Sequence, residues 1–345
     1  MVTAGDSRER EDWAAVARHL EGRGHRLDLE AAPRRLSGGL ANLNFAVVLD
    51  GAPAVFRRPP PGPLAHGASD MAREARVLAA LHPHFPLAPR LLFAALEESP
   101  IGVPFLLIEW RPGVAVGGTL PPPMGVADAP WMMAELAGAL ARLHALDPES
   151  VGLADLGRPT GFAERQLRGW TRRAAAAFAE ERPAALAPLI ARLEATLPAD
   201  PPARILHMDA KFDNLLIDPA ARRATALIDW DMGTLGPPAF ELAVLLSYWI
   251  EPSDPHDVQE LEAVPSMVAG WPGRAAMTAA YERAAGQRPP DLPWHLALAR
   301  LRLATAWRQL YRLWQHGALA GDRYAGFARL ADAILGQALH QFGEP

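Results

Sequence analysis

Two kinds of hydrophobic pattern alternate in the first third of the chain. Apolar residues recur at helical spacing over 11–21 and 70–81, and Ser69 is the predicted N-cap of the second helix. Short apolar runs that predict strands lie between and after these helices, at 36–49, 53–58, 90–96 and 103–108. Asp50-Gly51 separates the first two runs and is typical of a tight hairpin turn. The pattern predicts a small lobe with an antiparallel sheet.

Helical spacing dominates from about residue 127 onward. The predicted helices are 131–145, 161–180, 183–197, 239–250, 275–285, 293–316 and 322–341. The stretch 204–238 interrupts them, with two strands at 215–217 and 224–228 joined by a turn. Glu109-Trp110-Arg111-Pro112-Gly113 breaks the pattern between the two halves. We therefore predict an α+β chain with an N-terminal lobe over 1–108, a hinge over 109–113 and a mostly helical lobe over 114–345.

Composition removes several classes of function. The absence of cysteine excludes thiol nucleophiles, disulfides and cysteine-ligated metals, and a net charge of −5 argues against a nucleic-acid partner. Lys211 is the only lysine, and its Ala-Lys-Phe context does not fit a Walker-A loop. The N-terminus does not resemble a signal peptide, and the apolar run near 242–250 is too short for a bilayer. We expect a cytoplasmic protein without a membrane partner.

The interrupting stretch carries candidate chemistry. It contains His207-Met208-Asp209-Ala210-Lys211-Phe212-Asp213-Asn214, and then Ile228-Asp229-Trp230-Asp231. Phosphoryl transfer needs a carboxylate that orients the attacking hydroxyl, oxygen ligands for Mg²⁺ and a cation near the transferred group. Because the two strands are antiparallel, the hairpin brings Asp229 back beside Asn214.

These motifs resemble a known superfamily. His-x-Asp-x-Lys-x-x-Asn followed by Ile-Asp resembles the catalytic loop and metal-binding aspartate of the protein-kinase-like superfamily. Gly236-Pro237 and Glu241-Leu242-Ala243 make the chain more similar to its aminoglycoside phosphotransferase branch. Segments 56–62, 73–74 and 164–170 resemble a subgroup found alone or as the kinase-like part of acyl-CoA dehydrogenase fusions. The resemblance covers about residues 30–320 and implies a two-lobed protein-kinase-like fold.

The resemblance implies roles for the catalytic segment. Asp209 matches the catalytic base, and Asn214 and Asp229 match the Mg²⁺ ligands. His207 matches a histidine that braces the loop, a structural more than a chemical role. Lys211 matches a lysine that reaches the γ-phosphate, although a surface lysine is the alternative. Asp231 is left open between a direct contact to metal or substrate and a position either in a solvated loop or behind the metal ligands.

The resemblance also implies a nucleotide site. The turn Ser37-Gly38-Gly39-Leu40-Ala41-Asn42 matches the one that covers the phosphates, with a plain hairpin turn as the alternative. Arg57 matches the strand-borne cation, with Arg58 equally possible, and Glu74 is its expected partner unless the two form an ordinary surface pair. Glu109, Trp110 and Arg111 match the hinge that meets the adenine.

The implied function is an ATP- and Mg²⁺-dependent phosphotransferase that acts on a hydroxyl of a small molecule, with GTP as a possible donor. Ala41, Arg57 and Pro237 depart from the family pattern, as does Glu241, which occupies the position of a bracing aspartate. These departures motivate the alternative of a catalytically weak, pseudokinase-like nucleotide-binding module. Arg308 and Arg312 either line a cleft for an anionic or acyl-chain acceptor or serve packing. They argue against a polycationic acceptor. A hydroxylated metabolite, for example a hydroxyacyl thioester, fits the subgroup better.

Overall fold

The N-terminal lobe is built on a five-stranded antiparallel sheet. The structure is a computed structural model that describes residues 11–36, 42–60, 70–158, 160–259, 261, 264–319 and 321–343. The strands pair in the order β1-β2-β3-β5-β4, and their bounds are β1 (Arg34–Arg35), β2 (Leu43–Leu49), β3 (Ala52–Arg58), β4 (Leu91–Ala95) and β5 (Phe105–Glu109). The predicted hairpin turn is confirmed: Asp50 and Gly51 have φ values of 54° and 80°, and Leu49 pairs with Ala52.

Two helices pack against this sheet. Helix α1 (Trp13–Glu21) buries Val16 and Leu20 in one apolar cluster with phenylalanines of the sheet. Helix α2 (Met71–Leu81) has Asp70 as its N-cap, whose carboxylate accepts the backbone N–H of Arg73 at 3.0 Å. The prediction of Ser69 as the cap is wrong, because the carboxylate directly before the first helical residue takes that position. Ser69 itself lies outside the described residues.

The C-terminal lobe is mostly helical, as predicted. Its helices are α3 (Ala129–Ala145), α4 (Phe162–Ala177), α5 (Leu186–Ala195), α6 (Pro238–Ser247), α7 (His256–Gln259), α8 (Arg274–Ala285), α9 (Leu292–Gln315) and α10 (Phe327–Gly343). One apolar core joins α2 to α3, α6 and α8, and a second joins α4, α5, α6, α9 and α10. None of the helices in the described part of the chain has the length and apolar character needed to cross a membrane.

Four short strands interrupt the helices and hold the candidate site. Strands β7 (Leu215–Asp218) and β8 (Arg223–Leu227) form the predicted hairpin. Strands β6 (Arg204–Leu206) and β9 (Thr234–Gly236) pair with each other. The second pair was not predicted. It brings the two ends of the stretch together, so that both of its acidic loops emerge from one compact unit.

The connection between the lobes is packed tightly on the β7–β8 hairpin. Strand β5 includes Glu109, the first residue of the predicted hinge. A Cβ atom on Gly113 would lie 2.6 Å from Thr225 Oγ1 and 2.9 Å from Leu216 Cβ, so a side chain does not fit there. Val114 then exchanges backbone hydrogen bonds with Ile217 at 2.8 and 3.1 Å. The hinge is thereby anchored to the hairpin that carries the acidic loops.

Candidate active site

His207 organises the loop between β6 and β7. Its Nε2 lies 2.9 Å from the Ile228 carbonyl oxygen, and its Nδ1 accepts the backbone N–H of Asp209 at 3.2 Å. Complete burial lowers the pKa of His207, which favours a neutral ring with its proton on Nε2. The ring therefore ties the loop to the end of β8, a bracing geometry.

Glu241 holds the same loop from helix α6. Its carboxylate accepts the backbone N–H of His207 at 3.1 Å and that of Met208 at 2.6 Å. Burial of Glu241 opposes its charge, but the hydrogen bonds from His144 and from the Met208 backbone N–H contribute to a net lowering of its pKa. Met208 has a φ of 72°, in the left-handed region that side chains rarely adopt. The carboxylate thus stabilises a strained turn directly before Asp209.

Asp209 sits at the end of this turn with its carboxylate held on two sides. One oxygen accepts from Lys211 Nζ at 2.5 Å, and the other accepts from Asn214 Nδ2 at 2.8 Å. Burial opposes the charge on Lys211, but Asp209 and Asp213 outweigh it and raise the pKa of the lysine. The Asp209 side chain remains 29% exposed. A carboxylate that is oriented and still accessible can accept a proton from a bound hydroxyl.

Asn214 and Asp229 lie at the two ends of the β7–β8 hairpin. The backbone N–H of Ile228 donates to the Asn214 carbonyl oxygen at 2.9 Å, which sets the residue before Asp229 against Asn214. Asp229 has a φ of 70°, a strained conformation that is typical of functional turns.

The donor atoms of these two residues fit a magnesium ion. Within the described residues, no hydrogen bond reaches the Asn214 amide oxygen or the second carboxylate oxygen of Asp229. The described part of the chain contains no group of three or more histidine, aspartate or glutamate side chains that could enclose a metal. Mg²⁺ is commonly held by one or two carboxylates and completed by water and phosphate oxygens. One carboxylate with one amide oxygen therefore suits Mg²⁺ bound together with a nucleotide.

Arg57 reaches the site from the other lobe. Its guanidinium donates to Glu74 at 2.7 Å, to Asn44 at 3.2 Å and to Asp229. Burial opposes the charge on Arg57, but Glu74 and Asp229 outweigh it and raise its pKa. Arg58, which the sequence left equally possible, instead pairs with Glu11. Arg57 is thus the cation beside Asp229, and its pair with Glu74 is buried, not an ordinary surface pair.

A second contact between the lobes involves Asn42, the last residue of the predicted phosphate-covering turn. Asn42 donates to Asp231 at 3.1 Å, and both side chains are buried. Burial, followed by the charge of Asp229, raises the pKa of Asp231 to about 7. Asp231 is therefore a buried carboxylate, not part of a solvated loop. The predicted phosphate-covering residues Ser37, Gly38 and Gly39 lie outside the described residues.

The hinge side chains have partners of their own. The Glu109 carboxylate accepts the backbone N–H of Arg90 at 2.9 Å and pairs with Arg111 at 3.1 Å. Arg111 also donates to the Pro86 carbonyl oxygen at 3.1 Å, and Trp110 between them is half-buried. The side chains of Glu109 and Arg111 hold β4 and its preceding loop.

Two arginines singled out from the sequence are bound to carboxylates. Arg308 pairs with Glu181 and Arg312 with Glu180, both at 3.0 Å. Packing between α9 and the segment after α4 is therefore their observed role.

The sequence did not indicate a group of aromatic and basic side chains that connects Lys211 to Trp170 through Tyr248 and Arg302. Lys211 Nζ lies 5.3 Å from the ring centre of Tyr248, and Arg302 contributes to the electrostatic environment of that tyrosine. The guanidinium carbons of Arg302 and Arg173 lie 5.9 and 4.6 Å from the Trp170 ring centre. Trp170 and Arg173 lie one turn apart on α4, but Arg302 lies on α9 and Tyr248 at the end of α6, so spacing along the chain could not have joined all four. We call Trp170, Arg173 and Arg302 the basic aromatic wall.

Comparison with known proteins identifies the family. A family model described as the phosphotransferase enzyme family matches residues 33–279, well over half of the chain. The chain belongs to this family. The predicted resemblance to the aminoglycoside phosphotransferase branch is confirmed.

The curated relatives of this family member are longer proteins, of which this chain matches one part. Acyl-CoA dehydrogenase family member 10 of Mus musculus is 29% identical over 218 residues, which make up 63% of this chain and 20% of that protein. Family member 11 of Gallus gallus is 31% identical over 222 residues, with shares of 64% and 28%. Probable acyl-CoA dehydrogenase IBR3 of Arabidopsis thaliana is 27% identical over 298 residues, with shares of 83% and 36%. The chain spans between a fifth and little over a third of these relatives.

Solved phosphotransferases share the fold. A candidate aminoglycoside phosphotransferase from Ralstonia eutropha aligns with a TM-score of 0.77 at 23% identity and covers 97% of this chain and 99% of its own. The thermostable APH(4)-Ia in complex with AMP-PNP and hygromycin B aligns with a TM-score of 0.61 at 17% identity, with coverages of 95% and 98%. The predicted α+β, two-lobed protein-kinase-like architecture is confirmed.

Proposed function

We propose that this protein transfers the γ-phosphoryl group of ATP to a hydroxyl group of a small molecule. The observation that carries the proposal is the Asp209 carboxylate, which is oriented by Lys211 and Asn214 and still partly exposed. Family membership supports phosphoryl transfer as the reaction class. An oriented carboxylate at the end of a braced loop is what the acceptor hydroxyl requires.

Asp209 acts on the acceptor in this scheme. It accepts a hydrogen bond from the acceptor hydroxyl and takes up its proton as the oxygen bonds to the γ-phosphorus atom. The bond from that phosphorus to the bridging oxygen breaks, and ADP leaves. Lys211, already 2.5 Å from Asp209, exchanges this contact for the transferring phosphoryl group and offsets its charge.

The nucleotide is held between the lobes. Arg57 contacts the α- and β-phosphates, the backbone of 109–113 contacts the base, and the turn from Ser37 to Asn42 covers the phosphates. The presence of AMP-PNP, an analogue of ATP, in the APH(4)-Ia complex supports ATP as the donor. GTP is the alternative donor, and a comparison of thermal shifts with the two nucleotides distinguishes them.

Asn214 and Asp229 are the residues proposed to hold Mg²⁺. When bound, the ion neutralises charge on the β- and γ-phosphate oxygens. Arg57 positions Asp229 for this role because it holds only one of the two carboxylate oxygens.

An anionic acceptor suits the surroundings better than a polycation. Among the described residues, neither arginine of the basic aromatic wall is paired with a carboxylate, and the positive charge of Arg302 acts on Tyr248, the tyrosine that Lys211 contacts. The relatives are named as acyl-CoA dehydrogenases, which agrees with a hydroxyacyl thioester or a related hydroxy acid. We propose this class in preference to aminoglycosides.

The test is a phosphorylation assay on a pooled library. The protein, ATP and Mg²⁺ are incubated with hydroxy acids, hydroxyacyl thioesters and aminoglycosides, and phosphorylated products are identified by mass spectrometry. Asp209→Asn is expected to reduce the rate by about 10²- to 10⁴-fold. Asp218→Asn, which alters only the turn of the hairpin, is the matched control. Nucleotide binding without any phosphorylated acceptor would instead favour the pseudokinase-like module.

A further inference from the structure

A buried series of hydrogen bonds links the catalytic loop to helix α8. Besides the two backbone N–H groups of the loop, Glu241 contacts His144 Nε2 at 2.7 Å. His144 Nδ1 in turn lies 2.7 Å from the Tyr281 hydroxyl. Glu241, His144 and Tyr281 are all buried. Tyr281 thus ends a series that begins at the backbone of Met208.

The donors and acceptors that each side chain offers decide the direction of each hydrogen bond in this series. The Glu241 carboxylate only accepts, so His144 must present a proton on Nε2. In a neutral ring with that proton, Nδ1 is an acceptor and needs a donor. Burial and the charge of Glu241 raise the pKa of Tyr281, so its hydroxyl keeps its proton and supplies that donor.

We propose that Tyr281 is a positioning residue for phosphoryl transfer: its hydroxyl fixes the His144 tautomer that donates to Glu241, and Glu241 holds the turn before Asp209. The inference rests on the proposed function, because it assigns Tyr281 an effect on the reaction of Asp209. Tyr281 itself has no place in the reaction.

The strained backbone of Met208 explains why such a distant group would matter. A residue with a φ of 72° persists only where its surroundings hold it, and the Met208 N–H donates to Glu241 at 2.6 Å. If the His144 proton moved to Nδ1, a lone pair on Nε2 would face the carboxylate. Glu241 would then lose a donor, and the turn that aims Asp209 would relax.

Tyr281→Phe removes the hydroxyl and keeps the ring. We expect kcat to fall about two- to tenfold, the range of a single hydrogen bond, with KM for ATP unchanged. Tyr311→Phe is the control, since the Tyr311 hydroxyl contacts Gln315 on the same helix. Nitrogen-15 NMR of the His144 ring should show one Nε2-protonated tautomer in the wild type and a mixture in Tyr281→Phe. Amide hydrogen exchange over 205–214 should become faster.

A second variant tests the route through His144. The amide of His144→Gln can donate to Glu241 without help from Tyr281, so Tyr281→Phe should add no further change in that background. A fall in kcat of the same size in both backgrounds would show that Tyr281 acts by another route, and would overturn the proposal.

The readouts separate this proposal from the proposed function. Tautomer and loop exchange are measured without any acceptor, so an inactive wild-type protein would contradict phosphoryl transfer and leave these two results intact. An unchanged tautomer and unchanged loop exchange in Tyr281→Phe would overturn the positioning role even in an active enzyme. So would a changed tautomer with an unaltered kcat.

Discussion

Arg57 and Lys211 are both buried cations, and each holds a carboxylate of the candidate site from a different lobe. Arg57 connects strand β2, helix α2 and Asp229 through three groups on its guanidinium. Lys211 contacts Asp209 and Asp213, both within two residues of it, and lies over the Tyr248 ring. Arg57 forms its polar contacts with separate parts of the fold, whereas both carboxylates that pair with Lys211 belong to its own loop.

The different contacts of Arg57 and Lys211 indicate different roles. A guanidinium presents donors in a fixed fork, so Arg57 suits a site where several acceptors are already placed. An ammonium is a compact point charge on a flexible stem, so Lys211 suits a group that must exchange partners. We therefore expect Arg57 to matter for stability and nucleotide binding, and Lys211 for the rate of transfer.

Arg57→Ala should give the largest effect on stability. The change leaves the Glu74 carboxylate, only 1% exposed, without its cation, and we expect a loss of about 3–5 kcal/mol in the free energy of unfolding. Urea denaturation measures it. Arg57→Ala combined with Glu74→Gln should recover part of the loss, because position 74 then carries no unpaired buried charge. Wild-type stability in the single variant would contradict the structural role of Arg57.

Lys211→Met should affect rate far more than stability. Removing the cation that faces the transferring group should lower kcat about 10²-fold, in the range for one stabilising donor. The unfolding free energy should change by less than about 1 kcal/mol, because partly exposed Asp209 can be hydrated instead. Turnover with an acceptor from the library and urea denaturation measure the two quantities. A large loss of stability with a normal kcat would contradict this account, because Lys211 would then act on stability and not on the rate of transfer.

Arg57→Lys tests whether nucleotide binding depends on the forked geometry of the guanidinium or only on its positive charge. Lysine keeps the charge but cannot reach Glu74, Asn44 and Asp229 together, so we expect Kd for AMP-PNP with Mg²⁺ to rise about tenfold. Titration calorimetry measures this directly. An unchanged Kd would mean that a point charge suffices at position 57, as it does at position 211.

Asn42→Ala should give the smallest effect. It removes the one hydrogen bond from Asn42 to Asp231, and we expect a loss of about 0.5–1.5 kcal/mol in the free energy of unfolding. Urea denaturation tests it, and a loss well above this range would assign Asn42 a larger share in holding the lobes together.

The structural features that could be predicted are those encoded by neighbouring residues in the chain. Asp50-Gly51 encodes its turn through residues that tolerate positive φ, and the β7–β8 hairpin follows from two apolar runs around a turn. Strands β6 and β9 have three residues each, too few to show a periodicity.

Partners distant in the chain could not be predicted from local patterns, and the pair of Arg57 with Glu74 was expected only from the family resemblance. Arg57 and Arg58 are adjacent, and only the way the strand packs directs one to Glu74 and Asp229 and the other to Glu11. The contact between His144 and Glu241 joins residues 97 positions apart, and its geometry depends on how α3 and α6 pack. Residue type and local spacing indicated the chemistry of the site, and tertiary packing decided which atoms meet.

The most direct test of the central claim is a crystal structure of the protein with Mg²⁺ and AMP-PNP. We predict that the ion is bound by the Asn214 amide oxygen and the Asp229 carboxylate, with the γ-phosphate facing Lys211 and Asp209. A metal ion bound to other residues, or a triphosphate directed away from Asp209, would contradict the account.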